Sequence, residues 1–141
     1  MKVRSMRKIL SACALLLILP AIPVHAGSKV VEGDEAQRLY DAKKGQVLTL
    51  VQKDTSFHLR KPGGVEEDHP VTITVKPGEI FFITNEEAAF VHNVYDETDS
   101  SWVLKKQVPS SVAGLSFDTP GQHKLRCAIH PKMQIIVDVA G

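Results

Sequence analysis

Cysteine, methionine and tryptophan are scarce in this chain of 141 residues. It contains two cysteines, three methionines and one tryptophan. Beyond residue 26, Cys127 is the only cysteine and Met133 the only methionine. Residues 27–141 therefore cannot form an internal disulfide, and neither sulfur side chain has a second copy that could replace it.

Excess charge, long apolar runs and histidine pairs are also missing. Seventeen Lys and Arg face sixteen Asp and Glu, and such a balance argues against nucleic-acid binding. The apolar run Cys13 to Pro20 falls short of the roughly 20 residues that span a bilayer, so we expect no stable membrane insertion. No His-x-His sequence occurs, which argues against metal clusters that offer an open position to a substrate. We therefore do not expect an enzyme.

The first 26 residues are typical of a secretory signal. Four basic residues within the first eight precede the apolar run, and Val24-His25-Ala26 offers a small-residue cleavage site. We expect cleavage after Ala26 and a periplasmic protein. In an oxidising compartment an unpaired cysteine such as Cys127 needs a reason, for example a reactive thiol, an intermolecular bridge or a metal.

A sulfur- and nitrogen-rich stretch stands near the end of the chain. It reads Cys127-Ala-Ile-His130-Pro-Lys-Met133 and places a thiolate, an imidazole and a thioether within seven residues. Thiolate and thioether suit Cu(I), whereas imidazole suits both copper oxidation states. Alone, the string could equally be three core or loop residues. His92, in Phe90-Val91-His92-Asn93-Val94, is the natural fourth ligand, and the set of four predicts one copper ion.

Apolar residues recur with a period of two from Val47 onward, which indicates half-buried strands. Pro77-Gly78 and Pro120-Gly121 predict tight turns between them. The spacing favours an all-β, single-domain Greek-key sandwich or barrel. The predicted strands are 47–51, 71–75, 80–84, 90–95, 102–104, 112–117, 123–127 and 135–139.

The remaining segments are predicted to be a short helix and exposed loops. The polar stretch Asp34 to Lys44 favours one surface helix, whereas Arg60 to His69 is rich in glycine, proline and charge and predicts an exposed loop. His58 and His69 have polar neighbours and are expected to be solvated, and Trp102 is expected in the core. These features suggest a signal peptide at 1–26, an N-terminal extension at 27–46 and a copper-binding domain at 47–141.

The domain resembles the cupredoxins, or small blue copper proteins, and within them the amicyanin and plastocyanin group. Four features carry the resemblance: Lys76-Pro77-Gly78 before a strand, Asn85 after it, His92-Asn93-Val94, and the segment from Pro120-Gly121 to Met133. The resemblance covers residues 47 to 141. The short gap between His130 and Met133 is similar to the ligand loop of amicyanin.

This resemblance implies roles for the matched residues. His92, Cys127 and His130 would be the trigonal copper ligands and Met133 the long axial one. Asn93 would brace the site by hydrogen-bonding the backbone near Cys127. It also implies a monomeric carrier that exchanges single electrons with a c-type cytochrome or a dehydrogenase. Electrons would pass through the exposed edge of His130, ringed by loop residues that include Ala88, Ala89, Pro131 and Lys132.

The residues also leave alternatives for two positions on a predicted strand, for two acidic runs and for the function. Leu125 and His123 replace aromatic residues common in the family, and His123 is predicted to be a core or edge residue too far from Cys127 to bind the same copper. The acidic runs 66–68 and 96–99 are predicted to be solvated, with docking of a basic partner as the alternative. Copper delivery or storage is the alternative function, although a chain with one methionine after residue 26 suits it poorly. A metal-free scaffold would leave Cys127 unexplained.

Overall fold

Ten strands and one helix form the part of the chain that the structure, a computed structural model, describes: residues 27–100, 104 and 106–141. The predicted signal peptide and Trp102 lie outside these residues. The elements are β1 (Ser28–Val31), α1 (Gly33–Lys43), β2 (Thr49–Lys53), β3 (Ser56–Arg60), β4 (Glu66–Asp68), β5 (Thr72–Val75), β6 (Phe81–Asn85), β7 (Val94–Asp96), β8 (Val112–Phe117), β9 (Gly121–Cys127) and β10 (Gln134–Val139).

The strands form two sheets that face each other across one core. One sheet has the order β1-β8-β6-β2-β3-β4 and the other β5-β10-β9-β7. In several strands alternate residues point into the core, as in β8, where Ala113, Leu115 and Phe117 are buried. The prediction of an all-β sandwich with one short helix is confirmed. Among the described residues, no helix is long and apolar enough to cross a membrane.

Residues 27–46 pack against the sandwich. β1 pairs antiparallel with β8, from Ser28 opposite Phe117 to Val31 opposite Gly114, and α1 packs on the same strand. Tyr40 of α1 contacts the ring of Phe82 edge-on, with ring centroids 5.3 Å apart. Phe82 is fully buried although it lies outside the central core cluster. The helix thus covers an outer sheet face that solvent would otherwise reach.

Three strands were missed in the sequence, and three local predictions were wrong. Asp96, in the acidic run 96–99 that was predicted to be solvated, is 0% exposed because it pairs with His123 of the neighbouring strand. The segment 60–69 is not only a loop, because Glu66–Asp68 forms β4 and pairs with β3. His58 is not solvated but 5% exposed. Its Nδ1 lies 2.8 Å from Asp68 Oδ1, and its Nε2 lies 3.2 Å from the Lys53 carbonyl oxygen. Asp68 stands opposite His58 on the neighbouring strand β4, and local composition gives no sign of that pairing.

Candidate metal centre

The backbone around His92 is held by a buried network of amides. His92 N–H donates to the Gln107 carbonyl at 3.0 Å, and Gln107 N–H donates to the His92 carbonyl at 2.8 Å. The Asn85 side-chain amide donates to the Gln107 carbonyl at 2.9 Å, and Gln52 Nε2 donates to Gln107 Oε1 at 3.0 Å. These four residues are at most 3% exposed. His92 therefore occupies a position with little freedom to move.

The other candidate ligands lie on one closed loop at the end of β9. Cys127 stands opposite Val94 of β7, and its N–H donates to the Met133 carbonyl at 3.1 Å. Met133 N–H donates in turn to the His130 carbonyl at 2.9 Å. The loop thus turns back on itself and brings His130 over the core.

Three ligand atoms converge on one point. Cys127 Sγ lies 3.7 Å from His92 Nδ1 and 3.8 Å from His130 Nδ1, and the two Nδ1 atoms are 3.2 Å apart. A point equidistant from the three atoms lies about 2.1 Å from each, which matches metal–nitrogen bonds and is slightly short for metal–sulfur bonds. Small movements of the cysteine side chain would lengthen the sulfur distance to that of a metal–sulfur bond. The three residues therefore fit the copper ion that the sequence predicts.

One edge of this centre is accessible to solvent, and the rest is buried. His92 and Cys127 are at most 1% exposed, whereas His130 is half-buried. Met133 is 1% exposed and belongs to the same apolar cluster as Cys127. Among the three donor residues described here, His130 is the one whose side faces solvent.

Glu87 is a residue near the centre that the sequence did not single out. Its Oε1 lies 3.4 Å from His92 Nε2 and accepts a hydrogen bond from Thr55 N–H. Burial lowers the pKa of His92, the negative charge of Glu87 opposes that shift, and His130 adds to it. The neutral imidazole is the form that binds metals. Glu86 and Glu87 look alike in the sequence, and only the fold buries one and exposes the other.

Asn93 joins the two ligand loops through its main chain. Its carbonyl oxygen accepts a hydrogen bond from Ala128 N–H at 2.9 Å, next to Cys127. The side-chain amide donates to the Leu104 carbonyl at 3.1 Å instead. The two contacts connect the segments around His92, residue 104 and Cys127.

Exposed apolar residues surround the open edge of the centre. Phe90 is 51% exposed and contacts the His130 ring edge-on, with centroids 5.9 Å apart. Ile129, directly before His130, is 55% exposed. Pro131 and Lys132 are exposed on the same loop. The open side is therefore largely apolar, with the positive charge of Lys132 beside it.

The two positions at which cupredoxins commonly have aromatic residues lie on β9. Leu125 is fully buried in the core cluster. His123 is 7% exposed and stacks on Phe117 with ring centroids 3.9 Å apart. Its place in the core agrees with the prediction. His69 is exposed, also as predicted.

Comparison with solved structures identifies the architecture. A Cu(I) structure of a methionine-to-glutamine variant of amicyanin aligns with a TM-score of 0.56 at 19% identity, covering 79% of this chain and 99% of that one. The reduced form of a tryptophan-to-tyrosine variant of amicyanin aligns with a TM-score of 0.57 at 19% identity and the same coverage. Amicyanin from Paracoccus versutus aligns at 0.52 and 17% identity, covering 67% of this chain and 82% of that one.

The chain has the cupredoxin fold. Neither a protein-family model nor a curated protein sequence matches this chain significantly, so the assignment of the fold rests on the structural alignments. Within this cupredoxin fold, a cysteine and two histidines whose donor atoms converge form a ligand set like that of type 1 copper sites.

Proposed function

We propose that this protein is a periplasmic electron carrier that binds one copper ion through His92, Cys127 and His130, with Met133 as a weak axial ligand. The convergence of the three donor atoms supports the proposal most directly. Bound copper would supply a Cu(I)/Cu(II) couple. The protein's task is to hold the ligands where both oxidation states accept them, so that little moves when the electron arrives.

Several features of the chain serve that task. The reciprocal bonds between His92 and Gln107 fix one ligand, and the bond from Ala128 N–H to Asn93 ties the cysteine loop to it. Burial of Cys127 excludes water from the thiolate. A rigid, water-poor site is suited to electron transfer and poorly suited to rapid release of the metal. This favours a carrier over a delivery or storage protein.

The open edge of the centre is the proposed path for electrons and the surface that meets redox partners. His130 is the one histidine of the three-atom centre that reaches the surface, and Phe90 and Ile129 flank it with exposed apolar side chains. Pro131 and Lys132 would contact a partner at the rim. Small, weak interfaces of this kind are usual for transient redox complexes. With the ligand positions filled by protein, the site offers a substrate no place, so we propose no enzymatic activity.

The visible spectrum tests the proposal. Cu(II) added to the protein should give an intense thiolate-to-copper band that ascorbate bleaches. Cys127→Ser should lose the band, and Met133→Gln should keep it with a shifted reduction potential because the axial bond is weak. A wild-type complex without intense colour, or a Cys127→Ser variant that keeps it, would contradict the assignment.

A further inference from the structure

A second group of metal-ligating side chains lies on the same pair of strands as the proposed copper centre. β7 and β9 pair so that Val94 stands opposite Cys127. Asp96 follows Val94 by two residues, and His123 precedes Cys127 by four on the same side of β9. At roughly 3.3 Å per residue, His123 is about 13 Å along the strand from the cysteine, too far to share its metal.

Asp96, Asp99 and His123 bring their ligand atoms together. One oxygen or nitrogen from each lies within 4.8 Å of the other two. Asp96 Oδ2 lies 2.6 Å from His123 Nδ1, while Asp96 Oδ1 accepts a hydrogen bond from Thr98 N–H at 2.9 Å. The turn after β7 therefore folds the two aspartates toward the histidine on the neighbouring strand.

Two of the three side chains are held in place by burial. Asp96 is 0% exposed and His123 is 7% exposed, and the imidazole is stacked on Phe117. Burying a carboxylate is costly unless a positive charge or strong hydrogen bonds compensate. Asp99, in contrast, is exposed. Two ligands are thus preorganised in the interior, and the third stands where an ion would enter from solvent.

The chemistry of the set differs from that of the copper centre. Two carboxylates and an imidazole, without a thiolate, suit a divalent cation such as Zn²⁺ rather than Cu(I). We propose that Asp96, Asp99 and His123 form a second metal site that binds a divalent cation such as Zn²⁺, with water molecules as the remaining ligands. If the Asp96–His123 hydrogen bond served structure alone, Asp99 would have no part in cation binding. Replacing Asp99 therefore distinguishes a metal site from a hydrogen bond that only stabilises the fold.

Zinc titration by calorimetry tests this site independently of copper. The full chain carrying Cys127→Ser is used, so that the first centre lacks its thiolate. Zn²⁺ should bind and shift the ¹⁵N resonances of the His123 ring. In the same background, Asp99→Asn should weaken zinc binding at His123 at least about tenfold, as expected for loss of a ligand.

Glu97→Gln is the matched control, since it removes one negative charge from the same turn. Glu97 pairs with Lys124 and Arg126 on the surface and is not among the three ligands. It should weaken zinc binding by less than about threefold, the scale of a surface charge. Asp99 is exposed, so its variant should keep the fold, which circular dichroism verifies. Unchanged His123 resonances on zinc addition, or equal weakening by Asp99→Asn and Glu97→Gln, would overturn the proposal.

Discussion

Replacing Glu87 with glutamine should raise the reduction potential of the copper centre. The substitution keeps the size of the side chain and removes its negative charge. Glu87 Oε1 lies 3.4 Å from His92 Nε2, and the glutamate side chain is only 7% exposed. A negative charge there stabilises the oxidised ion more than the reduced ion, because the oxidised ion carries the larger positive charge. Its loss therefore favours reduction.

The geometry sets the size of the shift. The imidazole ring and one metal–nitrogen bond add to the 3.4 Å contact, so the carboxylate oxygen would lie roughly 7 Å from a copper ion bound by His92 Nδ1. Two unit charges at that separation interact by about 2.4 kcal/mol at an effective dielectric constant of 20, and by about 0.6 kcal/mol in water. For a one-electron couple these energies correspond to about 100 mV and about 25 mV. The burial of Glu87 favours the upper part of that range.

Glu86→Gln provides the matched control for this measurement. Glu86 is the adjacent residue in the chain, but it is exposed and forms two hydrogen bonds with Arg60, at 2.8 and 3.0 Å. Its replacement should shift the potential much less. Spectroelectrochemical titration of both copper-loaded variants at pH 7 gives the comparison. Equal shifts in the two variants, or a lowered potential in Glu87→Gln, would refute the electrostatic role of Glu87.

Two further predictions concern stability and electron exchange. Arg60→Gln should lower the free energy of unfolding of the metal-free protein by about 1 kcal/mol at pH 7, as measured by urea denaturation. The hydrogen bond from Arg60 lowers the pKa of Glu86. The stabilisation by this pair is therefore present above about pH 4.3, the pKa of glutamate in the unfolded chain, and is lost as the pH falls through the lower pKa of Glu86 in the folded protein. Phe90→Glu should slow electron self-exchange by about tenfold, because like charges would meet across the contact between two apolar patches. NMR line broadening in mixtures of the oxidised and reduced protein measures that rate.

A specific outcome would contradict each of these two predictions. A difference between wild type and Arg60→Gln that persists undiminished at pH 3 would show that Glu86 is not the titrating partner. For the exchange reaction, Val65→Glu is the control, since Val65 is 66% exposed just before β4, which is the edge strand of the six-stranded sheet. If both glutamate variants slow self-exchange equally, general charge repulsion rather than the Phe90 patch would be responsible.

The type of metal centre and the class of fold were predictable from the sequence. A thiolate, an imidazole and a thioether within seven residues limit the metals that suit them, wherever the chain places them. Period-two alternation likewise indicates strands without reference to a partner. Both signals are local, because they depend on the chemistry and spacing of neighbouring residues.

Tertiary structure decided the features that depend on how loops turn and on which strands pair. Glu87 is buried because the loop after β6 turns it toward His92, and His58 is buried because β4 places Asp68 beside it. The register of β7 with β9 likewise brings Asp96 to His123. These contacts join residues 5, 10 and 27 positions apart. Composition and spacing describe a residue and its neighbours, whereas burial and charge partners depend on which distant strands pair, and in which register.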